Sequence, residues 1–238
     1  VGERVDLLLR SAPQYGCLPD EASFANFLVC AQNRAAVEAL RHFLAAGHGS
    51  LFLHGPPGSG RTHLLQAGCH AVEARGGAIV YLPLGELRDA PPAELFAGLE
   101  AHALLCLDDA DAVVGRRDWE EAMFHLYNRC LETGCRLLLA AALPPQQIGL
   151  ALADLRSRLQ GGAIGALAEP DDEGKIAALV LRAHNRGITL EPGVARFVWQ
   201  RSPRGMAALI AVLDRLDTAS LGAGRRLSIP FVKSVMGW

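Results

Sequence analysis

Across the first two-thirds of the chain, short apolar runs of strand length alternate with longer segments whose apolar residues recur at helical spacing. Residues 50–54 (SLFLH), 78–82 (AIVYL), 103–109 (ALLCLDD), 136–142 (RLLLAAA) and 163–167 (AIGAL) read as buried strands. Between them, 62–72 has helical length, and the Pro91-Pro92 pair predicts a helix running to about Ala101. Residues 118–132 place Trp119, Met123, Leu126, Tyr127 and Cys130 on one helical face, with Asp118 as the expected N-cap and Gly134 as the stop. Pro144 and Pro145 precede a short helix from about Ala151 to Arg158. Such alternation predicts an α/β layer in which a parallel sheet is flanked by helices. From Glu169 onward only helices are expected, over 171–186, 191–201, 203 to about 220, and 230–236; Gly187 and the step from Ser202 to Pro203 separate them. The chain therefore divides into a tail (1–17), an α/β core (18–168) and a helical lid (169–238).

Composition narrows the classes. Half of the 238 residues are hydrophobic, which is ample for a core, and the formal net charge is −2. No overall basic field points to direct sequence-specific DNA binding or to an anionic membrane. No run approaches membrane-spanning length, and the N-terminus is too short and too charged for a signal peptide, so a cytoplasmic location is expected. Cys17, Cys30, Cys69, Cys106, Cys130 and Cys135 form no Cys-x-x-Cys pair and are read as reduced thiols, mostly buried.

The sharpest motif is Gly-Pro-Pro-Gly-Ser-Gly-Arg-Thr at 55–62, a P-loop with Arg61 where lysine is usual, placed between a strand and a helix as such a loop requires. Gly55, Gly58 and Gly60 let the backbone approach phosphates. The N–H groups around Ser59, Arg61, Thr62 and His63 face the negative charge, and the Thr62 hydroxyl is a Mg²⁺ ligand candidate. Guanidinium is wider and planar where an ammonium is compact, so this loop predicts binding of ADP or ATP and questions hydrolysis. The strand at 103–109 ends in two carboxylates, a Walker B pattern. Asp108 suits Mg²⁺ coordination, and Asp109 stands where an acid orients the attacking water, one methylene shorter than the usual glutamate.

With the P-loop, the Asp108-Asp109 strand and a helical C-terminus in one order, the chain resembles AAA+ ATPase domains of the DnaA type. Residues 18–33 are similar to that family's entry segment, which packs beside the adenine and assigns Phe27, Leu28 and Val29 to the nucleotide. Residues 124–134, Leu-Arg-Ser-Arg-Leu at 155–159 and 226–233 resemble the DnaA-homologous regulators of the Hda type more than DnaA, as does Arg61. No basic helix-turn-helix domain of the kind DnaA uses to read DNA is expected beyond the lid. The resemblance implies an ADP-bound regulator, tethered to the DNA sliding clamp, that makes the initiator DnaA hydrolyse its ATP and so prevents re-initiation. It assigns Arg158 as an arginine finger acting in trans. A homodimer is left open.

Three departures from the family pattern stand out. Sensor 1 falls on Ala140 to Leu143, with no polar side chain. Sensor 2 falls on Ala207, with Arg204 one turn earlier as an imperfect substitute. The clamp-binding peptide of the family carries a glutamine followed by apolar residues; here Arg4, Val5, Asp6, Leu7, Leu8 and Leu9 keep the apolar pattern without the glutamine, and 14–18 keeps a glutamine with poorer spacing. Two other classes stay open: an autonomous ATPase or loader, and a non-catalytic adaptor with a vestigial nucleotide site.

Overall fold

The structure is a computed structural model that describes residues 22–223 and 226–238. Among the described residues it contains two compact units, one comprising 22–23 and 31–168, the other 24–30 and 169–238.

In the first unit, α1 (Arg34–Ala46) precedes β1 (Ser50–His54), α2 (Arg61–Glu73), β2 (Ile79–Pro83) and the single-turn helices α3 (Leu84–Leu87) and α4 (Pro92–Leu95). Then follow β3 (Leu104–Asp108), α5 (Arg117–Thr133), β4 (Arg136–Ala141), α6 (Ala153–Gly161) and β5 (Ala163–Ala166). The strands make one sheet in the order β2-β3-β4-β1-β5, and every pairing is parallel. All C-terminal strand ends therefore share one edge, where Gly55, Asp109 and Ala142 leave β1, β3 and β4. The strands form where the apolar runs predict them, because a parallel strand covered on both faces needs side chains that are apolar without alternation. In β3 all five residues are buried, Asp108 included.

On one side of the sheet, Leu105, Leu107, Leu137 and Leu139 pack with Phe96, Trp119, Met123 and Leu126. Phe96 meets Trp119 edge to face at 5.6 Å, and both rings are buried. Each such side chain contributes about 1.5–3 kcal/mol of transfer free energy.

Two local expectations are corrected. The helix expected from Pro91 to Ala101 is one turn, Pro92–Leu95, followed by a 3₁₀ turn at Leu99–Ala101. Gly98 lies between them at φ 76°, a left-handed conformation that ends a right-handed helix. Asp118 is not the N-cap of α5. Arg116 holds that position, and Asp118 sits in the first turn with Arg116 Nη2 at 3.3 Å. A carboxylate there still favours the positive end of the helix dipole.

The second unit holds α7 (Asp172–Asn185), α8 (Pro192–Arg201), α9 (Met206–Ala223) and α10 (Ile229–Met236). Leu179, Val198, Leu209, Leu213 and Val232 form its core. Asp171 caps α7 by accepting from Gly174 N at 2.8 Å, and Ser228 caps α10 through Phe231 N. Arg186 bridges α7 to α9 through Asp214 at 2.7 Å and Asp217 at 3.8 Å. Residues 24–30 join this unit, where Asn185 Nδ2 donates to the Ala25 carbonyl at 3.3 Å. Among the described residues, no helix is long and apolar enough to cross a membrane.

Candidate functional site

The loop at 55–60 is shaped by its glycines. Gly58 and Gly60 have φ of 82° and 92°, where a side chain would be strained. A Cβ on Gly55 would collide with the Leu167 carbonyl and crowd Ser59 Oγ. The loop is stitched to its neighbours by Gly55 N donating to Ala141 O at 3.3 Å and Leu167 N donating to His54 O at 2.7 Å. Gly60 is the N-cap of α2 and offers no side-chain acceptor, so the first N–H groups of the helix lack a side-chain cap.

Two buried polar atoms here, Ser59 Oγ and Arg61 Nη1, have no hydrogen-bond partner among the described residues. A buried guanidinium N–H without an acceptor is costly. Together with the uncapped helix terminus and the bare glycines, these donors fit a phosphate group. Thr62 is exposed in the first turn of α2. His63 is buried, and its Nε2 is 2.9 Å from the Ser23 carbonyl.

The end of β3 is brought to the loop. Asp108 is 1% exposed. Its Oδ1 accepts from Asp109 N at 2.9 Å and its Oδ2 from Tyr81 Oη at 2.7 Å. Lone pairs remain on both oxygens for a metal-bound water, so the donor set suits Mg²⁺ with Thr62 nearby in sequence to Arg61. Burial, then the Asp108 charge, push the Tyr81 phenol well above its ordinary range, so it stays a donor.

Asp109 turns away from the strand at φ 50°, ψ 46°, the one non-glycine residue at positive φ among those described. Asp is among the few residues that tolerate this conformation. Its Oδ1 lies 3.5 Å from Arg61 Nη2. Burial, then the Asp108 charge, raise the Asp109 pKa, with Arg61 pulling in the opposite direction. At the sensor 1 position, Ala140 and Ala141 are buried, and Ala142 N donates to Asp111 Oδ1 at 3.2 Å. That strand end offers no side-chain polar group.

Arg158 lies in the last turn of α6 and is exposed. Among the described residues it has no hydrogen bond or ion pair. Leu155 and Leu159 bury the opposite side of the helix, and Arg156 Nη1 reaches back to Leu150 O at 3.5 Å. Arg158 is thus presented outward from a helix whose inner face is fixed.

The other expected site residues belong to the second unit. Phe27 and Leu28 are half-buried and Val29 is exposed. The Arg204 guanidinium lies 5.6 Å from the centre of the Trp199 ring, a cation–π pairing just before α9. Ala207 is in the first turn of α9. Residues 4–9 and 14–18 lie outside the described residues.

Sequence reasoning missed Tyr81, Asp111 and Glu120. Tyr81 reads as a core residue of an apolar strand, and only its hydroxyl hints at a buried polar partner. The register places it opposite Cys106, on the same sheet face as Asp108 two residues on.

Comparison with known proteins bears on the family and the fold. The family model described as the bacterial DnaA ATPase domain matches residues 18–166, and that described as the Hda lid domain matches 172–236. Among solved structures, domain III of the Thermotoga maritima replication initiation protein DnaA superposes with a TM-score of 0.75 at 21% identity, covering 91% of this chain and 96% of that one. AMPPCP-bound DnaA from Aquifex aeolicus gives 0.68 at 21% identity, over 86% and 65% of the two chains. A Thermotoga maritima RuvB variant gives 0.67 at 18%, over 92% and 72%. At these identities the structural likeness establishes the fold, and the family rests on the sequence models. With a P-loop core matched over 18–166 and the lid over 172–236, the chain belongs to the bacterial DnaA ATPase-domain family as a DnaA-homologous AAA+ protein of the Hda type.

Proposed function

We propose that this chain is an ADP-holding regulator which, tethered to the sliding clamp, stimulates ATP hydrolysis by the initiator DnaA and thereby prevents re-initiation of replication. The observation that carries this reading is the contrast between two arginines. Arg158 is exposed and has no partner among the described residues, while Arg61 is drawn to the acid that hydrolysis in this chain's own site would need.

In its own site, the backbone of 55–62, Ser59 Oγ and Arg61 Nη1 hold the phosphates of ADP or ATP, and Thr62 and Asp108 hold Mg²⁺. Nucleotide with its metal supplies the phosphate charge that these donors await. Tyr81 keeps the Asp108 carboxylate aimed. Asp109, engaged by Arg61, is a poor water-orienting base, and the alanines at the end of β4 add no second polar group. Retention of nucleotide without turnover follows.

The chemistry is then offered elsewhere. A planar two-donor cation placed against the charge developing on a partner's γ-phosphate is worth roughly 10³–10⁵ in rate in well-studied NTPases. Arg158 is suited to that task by its exposure and by the absence of a partner among the described residues. The segment at 4–9 supplies the clamp tether in this reading, through apolar side chains entering a groove.

The deciding experiment measures ATP turnover by this chain alone, by DnaA alone, and by DnaA with this chain and DNA-loaded clamp. Stimulation only in the complete mixture supports the proposal. Robust turnover by the isolated chain would make it an autonomous ATPase, and no effect in any mixture would leave an adaptor.

A further inference from the structure

Glu120 is a carboxylate with 1% exposure in the first turn of α5, in a unit whose buried side chains are almost all apolar. Its Oε1 accepts from Gly115 N at 2.7 Å and from Ala151 N at 3.2 Å, and its Oε2 accepts from Leu152 N at 2.6 Å. Gly115 leads into α5, while Ala151 and Leu152 are the last two residues before α6. One buried carboxylate thus fastens the start of one helix to the start of the next.

The attachment matters because α6 has no cap of its own. Its N-cap residue is Leu152, whose side chain cannot accept a hydrogen bond. The helix also follows a connection, residues 142–152, without regular structure. Leu155 and Leu159 set which face of α6 turns inward, but apolar contacts alone tolerate sliding along the axis. Charge-assisted N–H bonds to a buried carboxylate are short, directional and costly to break. They fix the height of the helix start. Arg158 follows Leu152 by about 9 Å of helix rise, within a single rigid element.

We infer that Glu120 is the positioning residue for Arg158, setting through α6 the reach of the guanidinium that acts on the partner's nucleotide. This rests on the reading of Arg158 as a finger acting in trans. The reach of such a group is demanding, since a displacement near 1 Å costs roughly 10²-fold in rate. In Glu120→Gln the amide presents N–H donors to at least one backbone N–H, so α6 is held less firmly while its side chains remain unchanged. The neighbouring Glu121, half-exposed and paired with Arg117, provides the control Glu121→Gln.

The test measures stimulation of DnaA ATP hydrolysis against DnaA concentration, with ADP affinity and melting temperature, for Glu120→Gln, Arg158→Ala, the double variant and Glu121→Gln. The expected result is a maximal stimulation lowered on the order of 10–10²-fold in Glu120→Gln, with half-saturating DnaA and ADP affinity near those of the native chain. The double variant should be no worse than Arg158→Ala, and Glu121→Gln should match the native chain. Full stimulation by Glu120→Gln beside a dead Arg158→Ala overturns the inference and leaves the finger standing. A further loss in the double variant also overturns it, because Glu120 would then act by another route. Full stimulation by Arg158→Ala removes the finger itself and the inference with it. If Glu120→Gln does not fold, Leu152→Pro decides: it deletes one donor at φ −78°, an angle proline adopts, and leaves the carboxylate in place. Lowered maximal stimulation in that variant supports the inference, and native stimulation overturns it.

Discussion

Arg61 Nη2 lies 3.5 Å from Asp109 Oδ1, so the two residues in which this site departs from the usual lysine and glutamate face each other as an ion pair. The wide guanidinium spans to the short carboxylate. One nitrogen of Arg61 is spent on the acid while Nη1 stays buried and available to a phosphate. On the proposed reading, the pair lets one site keep its anion-binding donors while its water-orienting acid is engaged.

Restoring the usual residues should therefore restore some turnover. Arg61→Lys with Asp109→Glu is expected to raise the basal ATPase rate by roughly tenfold, short of the 10²–10⁴-fold typical of a well-placed base because β4 still lacks a polar side chain at its end. Steady-state phosphate release measures this. Either single change should gain less than the pair, and an equal rate in all four proteins would show that Arg61 and Asp109 do not limit turnover.

Nucleotide binding should be visible as stabilisation. ADP with Mg²⁺ at ~100 times its dissociation constant adds about 2.7 kcal/mol. For a chain of this size that corresponds to a rise of roughly 5–10 °C in melting temperature. Gly55→Ala, whose Cβ meets the Leu167 carbonyl, should abolish the shift. No shift in the native chain at millimolar Mg-ADP would contradict the phosphate role of the loop.

Arg158→Ala is expected to preserve melting temperature and ADP binding, since the side chain is exposed and has no partner among the described residues, while lowering DnaA stimulation by on the order of 10³-fold. Arg158→Lys should rescue little, because an ammonium lacks the planar two-donor geometry. Arg156→Ala removes a contact to the Leu150 carbonyl and should be milder. Coupled initiator ATPase assays and thermal melts separate a lost finger from a lost fold.

Asp109 gives a pH dependence of definite sign. Its folded pKa is raised, by burial first and the Asp108 charge second. The folded state therefore binds the proton more tightly than the unfolded chain, and stability falls as pH rises from the ordinary carboxylate range through the folded pKa. Asp109→Asn removes that ionisation, and asparagine also accepts the left-handed backbone. The variant should gain stability at neutral pH, by no more than about 1 kcal/mol because the side chain is half-exposed and screened. The gain should shrink as the pH falls to the ordinary carboxylate range. Melts at pH 7.5 and near pH 3.5 (about neutral, and about the unperturbed carboxylate pKa) test this, and an equal gain at both would refute the charge argument.

Deleting residues 1–10 should leave folding and ADP binding intact and remove association with the sliding clamp. Surface-immobilised clamp measures it directly. Retained binding would move the tether to 14–18.

The fold was legible because its signal is local and repeated. Each strand is a continuous apolar run that has no comparable helical reading, and the P-loop lies between the first of them and a helix. The short helix after Pro91 was less legible, since Gly98 acts through backbone conformation that a helix-start signal does not report. Tyr81 and Glu120 were not legible at all. An aromatic in a strand and a glutamate in the first turn of a helix both have ordinary local explanations, and nothing near them in sequence names their partners.

By itself, then, the sequence determined the order of elements, the phosphate-binding loop, the paired carboxylates and the family to which they belong, because these depend on residues within one turn or one strand of each other. Tertiary structure alone decided that Arg61 meets Asp109, that Tyr81 holds Asp108, and that Glu120 fastens the helix carrying Arg158. Those contacts join residues 27 to 48 positions apart in the chain. They exist because parallel strands bring their C-terminal ends to one edge, where buried charges must find donors in whatever element packs beside them.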